Sequence, residues 1–418
     1  MTVASLQFVA ALLLASVLFP LLPTPRARQG ALFLGNCVFL GSLVPNAATW
    51  AALAAFLASG YAAARILERR PVRALLAAYV AGIVAVFVLL KRYAFLEQVV
   101  PPAMLDHPIT IVGLSYMLFR QIHYVVDSMQ GQIPTPSLWG YLNYQMNLFG
   151  LLAGPIQRYQ EFQASWDKLV TVATDQHDLL KRYLRVFWGV VKIVGIAAAF
   201  SFAYQKLFAR LESLHAASDT PGLLTALVLF LGVFYLYPLY MYFNFSGYCD
   251  IVIGGAALVG LRLPENFDRP YLSRSVIDFW TRWHRTLGFW IRDYLFMPMY
   301  KAVAERNPRV APSVAFGCYF VAFALAGIWH GTTSNFLVFG AINGLGASAA
   351  KLGEQYLIRK RGRAGLRQYL QSGRIRLVSI WATANFFCVS MLFFPHELER
   401  CLIPLRVLYA ALEAAIRG

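Results

Sequence analysis

Long apolar stretches, each ended by a short cluster of charge, set the pattern of the chain. No Asp, Glu, Lys or Arg occurs before Arg26, between Arg28 and Arg65, or between Arg73 and Lys91. The same holds from Thr220 to Cys249, from Val310 to Ala350 and from Leu377 to His396. A helix needs about 20 mostly apolar residues to cross a bilayer, and several of these windows hold one or two. Barrel strands would alternate apolar and polar positions; runs such as Ala51–Ala58 and Leu223–Phe230 do not. The pattern predicts an all-α, polytopic integral membrane protein of about 10 to 12 membrane segments. They fall over 3–22, 31–45, 47–66, 74–91, 109–127, 138–153, 184–205, 222–243, 247–261, 311–329, 331–350 and 377–395, with 138–153 and 247–261 open to a re-entrant or buried reading. No fixed-period repeat and no soluble boundary interrupts the pattern, so 1–418 reads as a single membrane domain.

The stretch from Arg262 to Arg309 breaks the rule by mixing aromatics with charges. At 100° per residue over 276–294, Val276, Trp280, Trp283, His284, Leu287, Ile291 and Tyr294 share one face. Asp278, Arg282, Arg285, Arg292 and Asp293 share the other, with Phe289 as the misfit. This predicts one amphipathic helix at the membrane interface or along a protein-walled cavity, with His284 among the tryptophans.

Composition agrees. The chain is 59% hydrophobic and 14% charged, with mean hydropathy +0.55, where a soluble domain carries about 25% charged residues. An ordinary cytosolic enzyme, a disordered chain and a secreted disulfide scaffold are excluded. The net charge of +17 would suit nucleic acid, but the basic residues sit in short loops between spans, where anionic headgroups and the positive-inside rule select them. Arg26 and Arg28, then Arg65 to Arg73, then the cluster from Lys351 to Arg376 mark cytoplasmic loops. The reading is therefore a multi-pass protein of the inner (plasma) membrane with its N-terminus outside, lipid as its surroundings and no nucleic acid. The first segment lacks a basic leader and a clear small-residue cleavage site, and reads as a retained span. The five cysteines (Cys37, Cys249, Cys318, Cys388, Cys401) show no CxxC and no metal-ligand spacing; they read as buried small hydrophobes, and no metal is expected.

Soluble-enzyme signatures such as GxSxG, HExxH, Walker A and GxGxxG do not occur. Attention therefore falls on polar groups at depth, which membrane proteins keep for function. His330, in Gly327-Ile328-Trp329-His330-Gly331, lies in the middle of the charge-free window Val310–Ala350. It is either an interfacial histidine in a turn or a buried general base. His284 is either a satisfied core histidine or a second functional ring. Asn244 and Asp250 end an uncharged run; the carboxylate needs a partner, which Arg274, Arg282 or Arg292 could supply, and ion pairing is its simplest role. His107, His123, His177, His215 and His396 sit in loops or near span ends and are not assigned to chemistry.

These residues carry a resemblance. Phe245-Ser246-Gly247-Tyr248-Cys249-Asp250, Pro264-Glu265-Asn266-Phe267, Pro270-Tyr271-Leu272-Ser273, Asp278-Phe279-Trp280-Thr281-Arg282-Trp283-His284, Trp290-Ile291-Arg292-Asp293-Tyr294 and Trp329-His330-Gly331 follow in order. Gly113-Leu114-Ser115-Tyr116 and Gly154-Pro155-Ile156-Gln157-Arg158-Tyr159 precede them. The set resembles the membrane-bound O-acyltransferase family, in its bacterial branch of alginate O-acetylation and teichoic-acid D-alanylation proteins. Matching motifs run over about 113–346, the motif-bearing core. The resemblance implies a helical bundle around a central conduit, with the family histidine at His330 and the branch's second histidine at His284. It implies transfer of a small acyl group, D-alanyl or acetyl, from a cytoplasmic thioester to a hydroxyl of an envelope polymer or relay protein. His330 would be the general base. His284 and nearby amides would position substrate or stabilise the oxyanion, and Asp250, Asn244, Trp283, Arg292 and Trp329 would support the site. No tightly bound cofactor is implied. The donor would be a phosphopantetheine thioester on an acyl carrier protein, or acyl-CoA, and an extracytoplasmic polymer or partner acyltransferase would receive the group.

Two departures qualify the branch. Met297-Pro298-Met299-Tyr300-Lys301 stands where alginate-type members carry a Gly-Gly-x-Arg run, and Asn343 stands where many of them have a histidine. The short length and the Phe296-Met297 region look closer to the D-alanylation side, which favours a carrier-protein donor, while the acyl group stays open between D-alanyl, acetyl and another small acyl. Two other classes stay in view: a transporter or flippase, and an accessory subunit of an envelope-modification complex.

Overall fold

A computed structural model describes residues 6–93, 96, 99–101, 109, 113–133, 137–169, 175–305 and 311–417. In chain order the helices are α1 (Leu6–Leu18), α2 (Pro25–Gly41), α3 (Ala47–Arg69), α4 (Arg73–Lys91), α5 (Leu114–Met129), α6 (Leu138–Met146), α7 (Tyr159–Trp166) and α8 (Gln176–Ala216). There follow α9 (Leu223–Leu258), α10 (Val276–Arg282), α11 (Arg285–Ile291), α12 (Met297–Ala304), α13 (Ala311–His330), α14 (Ser334–Gln371), α15 (Gly373–Met391) and α16 (Leu398–Arg417). Among the described residues there is no strand, only one isolated bridge between Phe267 and Trp283. The all-α reading holds.

Local chemistry sets where these helices start: α3 begins at the expected residue, whereas α2 begins at Pro25, ahead of the predicted 31. Thr24 caps α2 by accepting from Ala27 N–H at 3.2 Å, with Pro25 in the first turn, and Asn46 caps α3 through Thr49 N–H at 2.8 Å. Each side-chain oxygen satisfies an amide that the first helical turn leaves without a partner. Six helices among the described residues are long and apolar enough to cross a membrane: α3, α4, α8, α9, and Ser313–His330 and Ser334–Gln368 within α13 and α14. Residues 3–5 and 110–112 of two predicted segments, and His107, lie outside the described residues.

The structure redraws several predicted segments. Segments 222–243 and 247–261 are one helix, α9, which runs through Pro238. The residues between the two expected segments, Asn244-Phe245-Ser246, continue the helix. Segment 138–153 shortens to the nine-residue, largely buried α6 and a following turn. Segment 331–350 extends into the basic cluster as α14, with a kink at Gly362, whose φ is 68°. Helix α16 lies beyond every predicted segment.

Contacts group the chain into two compact units, residues 1–191 with 246–265, and 192–245 with 266–418. In the first, α5 is buried on nearly every side and packs against α3, α4 and α6. Its polar side chains are met by protein rather than lipid. Arg120 donates to the last carbonyls of α6, Tyr144 O at 2.9 Å and Gln145 O at 3.1 Å. Gln121 donates to the Tyr79 hydroxyl at 2.7 Å, and His123 Nε2 accepts the Tyr159 amide at 2.8 Å. Most buried polar groups in proteins are paired in this way.

The second unit has an aromatic core of Phe279, Trp283, Tyr271, Phe387 and Tyr242. Trp283 stacks on Phe279 with centroids 5.7 Å apart and lies 4.8 Å from Phe387. Beside this core, α13 and α14 form a hairpin whose backbones touch. A Cβ on Gly340 would lie 2.5 Å from Phe323 O, and one on Gly327 would strike Phe336 O. Glycine at both positions lets the helices close, and this closure places the end of α13, with His330, against α14.

Candidate active site

The predicted single helix over 276–294 is interrupted at its most interesting residue. Ser275 caps α10 through Asp278 N–H at 3.1 Å, and α10 stops at Arg282. Trp283 is then extended, with φ −98° and ψ 127°, and His284 is left-handed, with φ 45° and ψ 48°, before α11 begins at Arg285. Periodicity missed the break because the residues on both sides keep a helical pattern. The cause lies in residues 266–268, which run alongside. Asp268 N–H donates to Arg282 O at 2.9 Å, and Arg285 N–H donates to Asn266 O at 3.0 Å. These contacts hold open a turn that an L-residue adopts only when its surroundings dictate it.

The break buries His284 to 4% exposure. Its Nδ1 lies 3.1 Å from Asn266 Oδ1, and Phe245 meets its ring edge to face at 4.8 Å. Thr286 contacts the same Asn266 oxygen twice, through its amide at 3.3 Å and its hydroxyl at 2.9 Å. His284 lies outside the spanning helices, and burial with the neighbouring His330 ring pushes its pKa down to about 3. Desolvation penalises imidazolium, so the ring is neutral at working pH.

His284 and His330 line one cavity of about 300 Å³. Its walls include Trp280, Phe323, Phe339 and Leu287, and Thr281, Arg292 and Tyr319 also border it. His330 ends α13 and is half-buried, edge on to Trp329 at 4.7 Å, to Phe394 at 5.2 Å and to Phe339 at 5.9 Å. Trp280 is held by a bond from its Nε1 to Asn343 Oδ1 at 3.2 Å, while Asn343 donates to Phe339 O at 2.9 Å. Asn343 therefore anchors a cavity wall.

The other expected site residues scatter. Arg292 lines the cavity, is 56% exposed, and pairs with Asp293 at 2.7 Å. Trp283 belongs to the aromatic core, and Trp329 touches His330 without lining the cavity. Asn244 is a half-buried residue of α9 away from the lining. Asp250 belongs to the first unit, and its partner there is none of the arginines expected. Arg185 bonds it at 3.1 Å and also holds Glu265 in a two-pronged contact at 2.7 and 2.6 Å. Arg282 instead pairs with Asp278 at 2.8 Å, and Arg274 donates to Leu370 O at 3.2 Å. The partner was invisible in sequence because Arg185 lies 65 residues from Asp250. Asn266, Thr286, Asn343 and Phe245 were missed as site residues. The only cue for Asn266 was its place in the Pro264-Glu265-Asn266-Phe267 motif.

Two histidines thus face one aromatic-walled cavity, in a chain with six helices, among the described residues, long and apolar enough to cross a membrane. The chain belongs to the membrane-bound O-acyltransferase family, whose model matches residues 70–393. It is similar to a teichoic acid D-alanyltransferase of Streptococcus thermophilus, 27% identical over 68% of this chain and 68% of that protein. A teichoic acid D-alanyltransferase of Bacillus subtilis is 30% identical over 63% of this chain and 64% of the relative. A probable alginate O-acetylase of Pseudomonas syringae pv. tomato is 29% identical over 58% of this chain and 43% of the relative. The chain thus spans from two thirds to less than half of the length of these relatives.

Proposed function

We propose that the protein transfers a small acyl group, D-alanyl or acetyl, from a thioester entering from the cytoplasm to a hydroxyl of an envelope polymer or of a relay protein. The observation that carries this reading is the shared cavity of His284 and His330. His330 takes the proton as the acceptor oxygen attacks the thioester carbonyl. The carbon–sulfur bond then breaks, and the proton passes to the departing thiolate, leaving an ester and a free thiol. His284 stands in the same cavity to position substrate. Walls of Trp280, Phe323 and Phe339 exclude water, which protects the thioester from hydrolysis. An acetyl group needs only these apolar surfaces, whereas a D-alanyl ammonium would rest on their aromatic faces. An acyl carrier protein's phosphopantetheine, or acyl-CoA, supplies the thioester.

The test is transfer in proteoliposomes with labelled D-alanyl-carrier thioester and, separately, acetyl-CoA, the acylated product being followed by mass spectrometry. Wild type should turn over one donor, and His330→Ala should lose on the order of 10²–10⁴-fold. Equal turnover by both proteins would remove His330 from the chemistry. Absence of transfer with either donor, in folded protein, would favour transport or an accessory role.

A further inference from the structure

Asn266 is fully buried, and the identity of its side-chain atoms is fixed by its neighbours. The Thr286 amide points at Oδ1 from 3.3 Å, and a backbone N–H can only donate. The atom it meets is therefore the carbonyl oxygen and not the amide nitrogen. The Thr286 hydroxyl, at 2.9 Å, donates to the same oxygen. His284 Nδ1 lies 3.1 Å from that oxygen, and an amide oxygen can only accept. Nδ1 must then carry the proton. In a neutral imidazole one nitrogen carries hydrogen and the other a lone pair, so Nε2 is left as an acceptor. The left-handed turn at His284, pinned by Arg285 N–H on Asn266 O at 3.0 Å, sets the same pair in place through the backbone.

We propose that Asn266 is a positioning residue of the acyl-transfer site: it holds His284 as the neutral Nδ1–H tautomer, so that Nε2 accepts a hydrogen bond from substrate instead of donating one to the oxyanion. This rests on the transferase reading above and separates the two roles that the sequence left open for His284. The ring addresses a hydroxyl or amide N–H of the substrate. Donors to the developing oxyanion come from other groups.

The experiment is ¹⁵N and ¹³C NMR of ring-labelled histidine in the full-length protein reconstituted in lipid, with His284→Gln assigning the signal among the 7 histidines. Wild type should show Nδ1 protonated and Nε2 bare. Asn266→Asp, which keeps an oxygen acceptor, should keep that tautomer, and so should Thr286→Val, which keeps the amide donor. Asn266→Ala should mix the tautomers and lower kcat on the order of 10²-fold, with KM changed much less; a wrong tautomer in a hydrolytic triad costs about 10⁴-fold. A protonated Nε2 in wild type overturns the proposal, and so does a folded Asn266→Ala protein with an unchanged spectrum and unchanged kcat. If Asn266→Ala does not fold, the wild-type and Asn266→Asp spectra decide alone. The spectra need no turnover, so a failure of the transferase reading leaves this test standing.

Discussion

At the residue scale, the proposed chemistry rests on a buried imidazole that stays uncharged. His284 has a pKa of about 3 in the folded protein against 6.5 for the free side chain, with His330 the ionisable neighbour that adds to burial. Between those values the unfolded chain binds a proton that the folded one refuses. The stabilising contribution is therefore complete above about pH 6.5 and is lost as pH falls toward 3. Thermal unfolding of wild type and His284→Gln in detergent should show the wild type losing about 2 kcal/mol relative to the variant between pH 7 and pH 4.5. Parallel pH profiles would sink this account. Sequence made both histidines legible, because a polar ring in an uncharged or aromatic run is conspicuous. It could not show Asn266, whose side-chain oxygen meets His284 Nδ1 and both the amide and the hydroxyl of Thr286 across 18 and 20 residues of chain. Nor could it show Arg185, which meets Asp250 only because α8 and α9 pack together.

At the element scale, helices were far easier to read than their interruptions. Apolar length alone located α3, α4 and the hairpin α13–α14. The break at Trp283–His284 was hidden, since non-local bonds from residues 266–268 impose it against a helical pattern. In α9 the reverse holds, and the backbone continues as one helix where two segments were expected. The hairpin depends on its glycines. Gly340→Val should disrupt it, because the added carbons meet Phe323 O. Overpacking of this kind costs typically about 1–3 kcal/mol. Gly353→Ala on α14, where nothing lies within 4 Å of the new carbon, should be neutral or slightly stabilising. Thermal stability of the two purified variants, with turnover alongside, gives the comparison; equal behaviour would show that the close approach is not needed. Loss of turnover in a partly stable Gly340→Val protein is expected as well, since His330 ends the helix that this contact seats.

For the whole molecule, charge placement sets orientation. The clusters Arg65–Arg73, from the end of α3 to the start of α4, and Lys351–Arg376, over the second half of α14 and the start of α15, predict the cytoplasmic side. In a cysteine-free background, Arg70→Cys and Arg363→Cys should react with an impermeant maleimide in inside-out vesicles and stay protected in right-side-out ones. Labelling from the outside would reverse the proposed topology, and with it the side from which the proposed thioester would enter. The glycine-closed hairpin has a consequence for how the protein is made. Its turn, Gly331-Thr332-Thr333, and everything from Val310 to Ala350 carry no formal charge. A charged residue at the centre of a nascent span costs about 2.5–3.5 kcal/mol on insertion, and this segment presents none. The turn between α13 and α14 and the apolar stretches on either side of it therefore meet no such penalty on entering the bilayer.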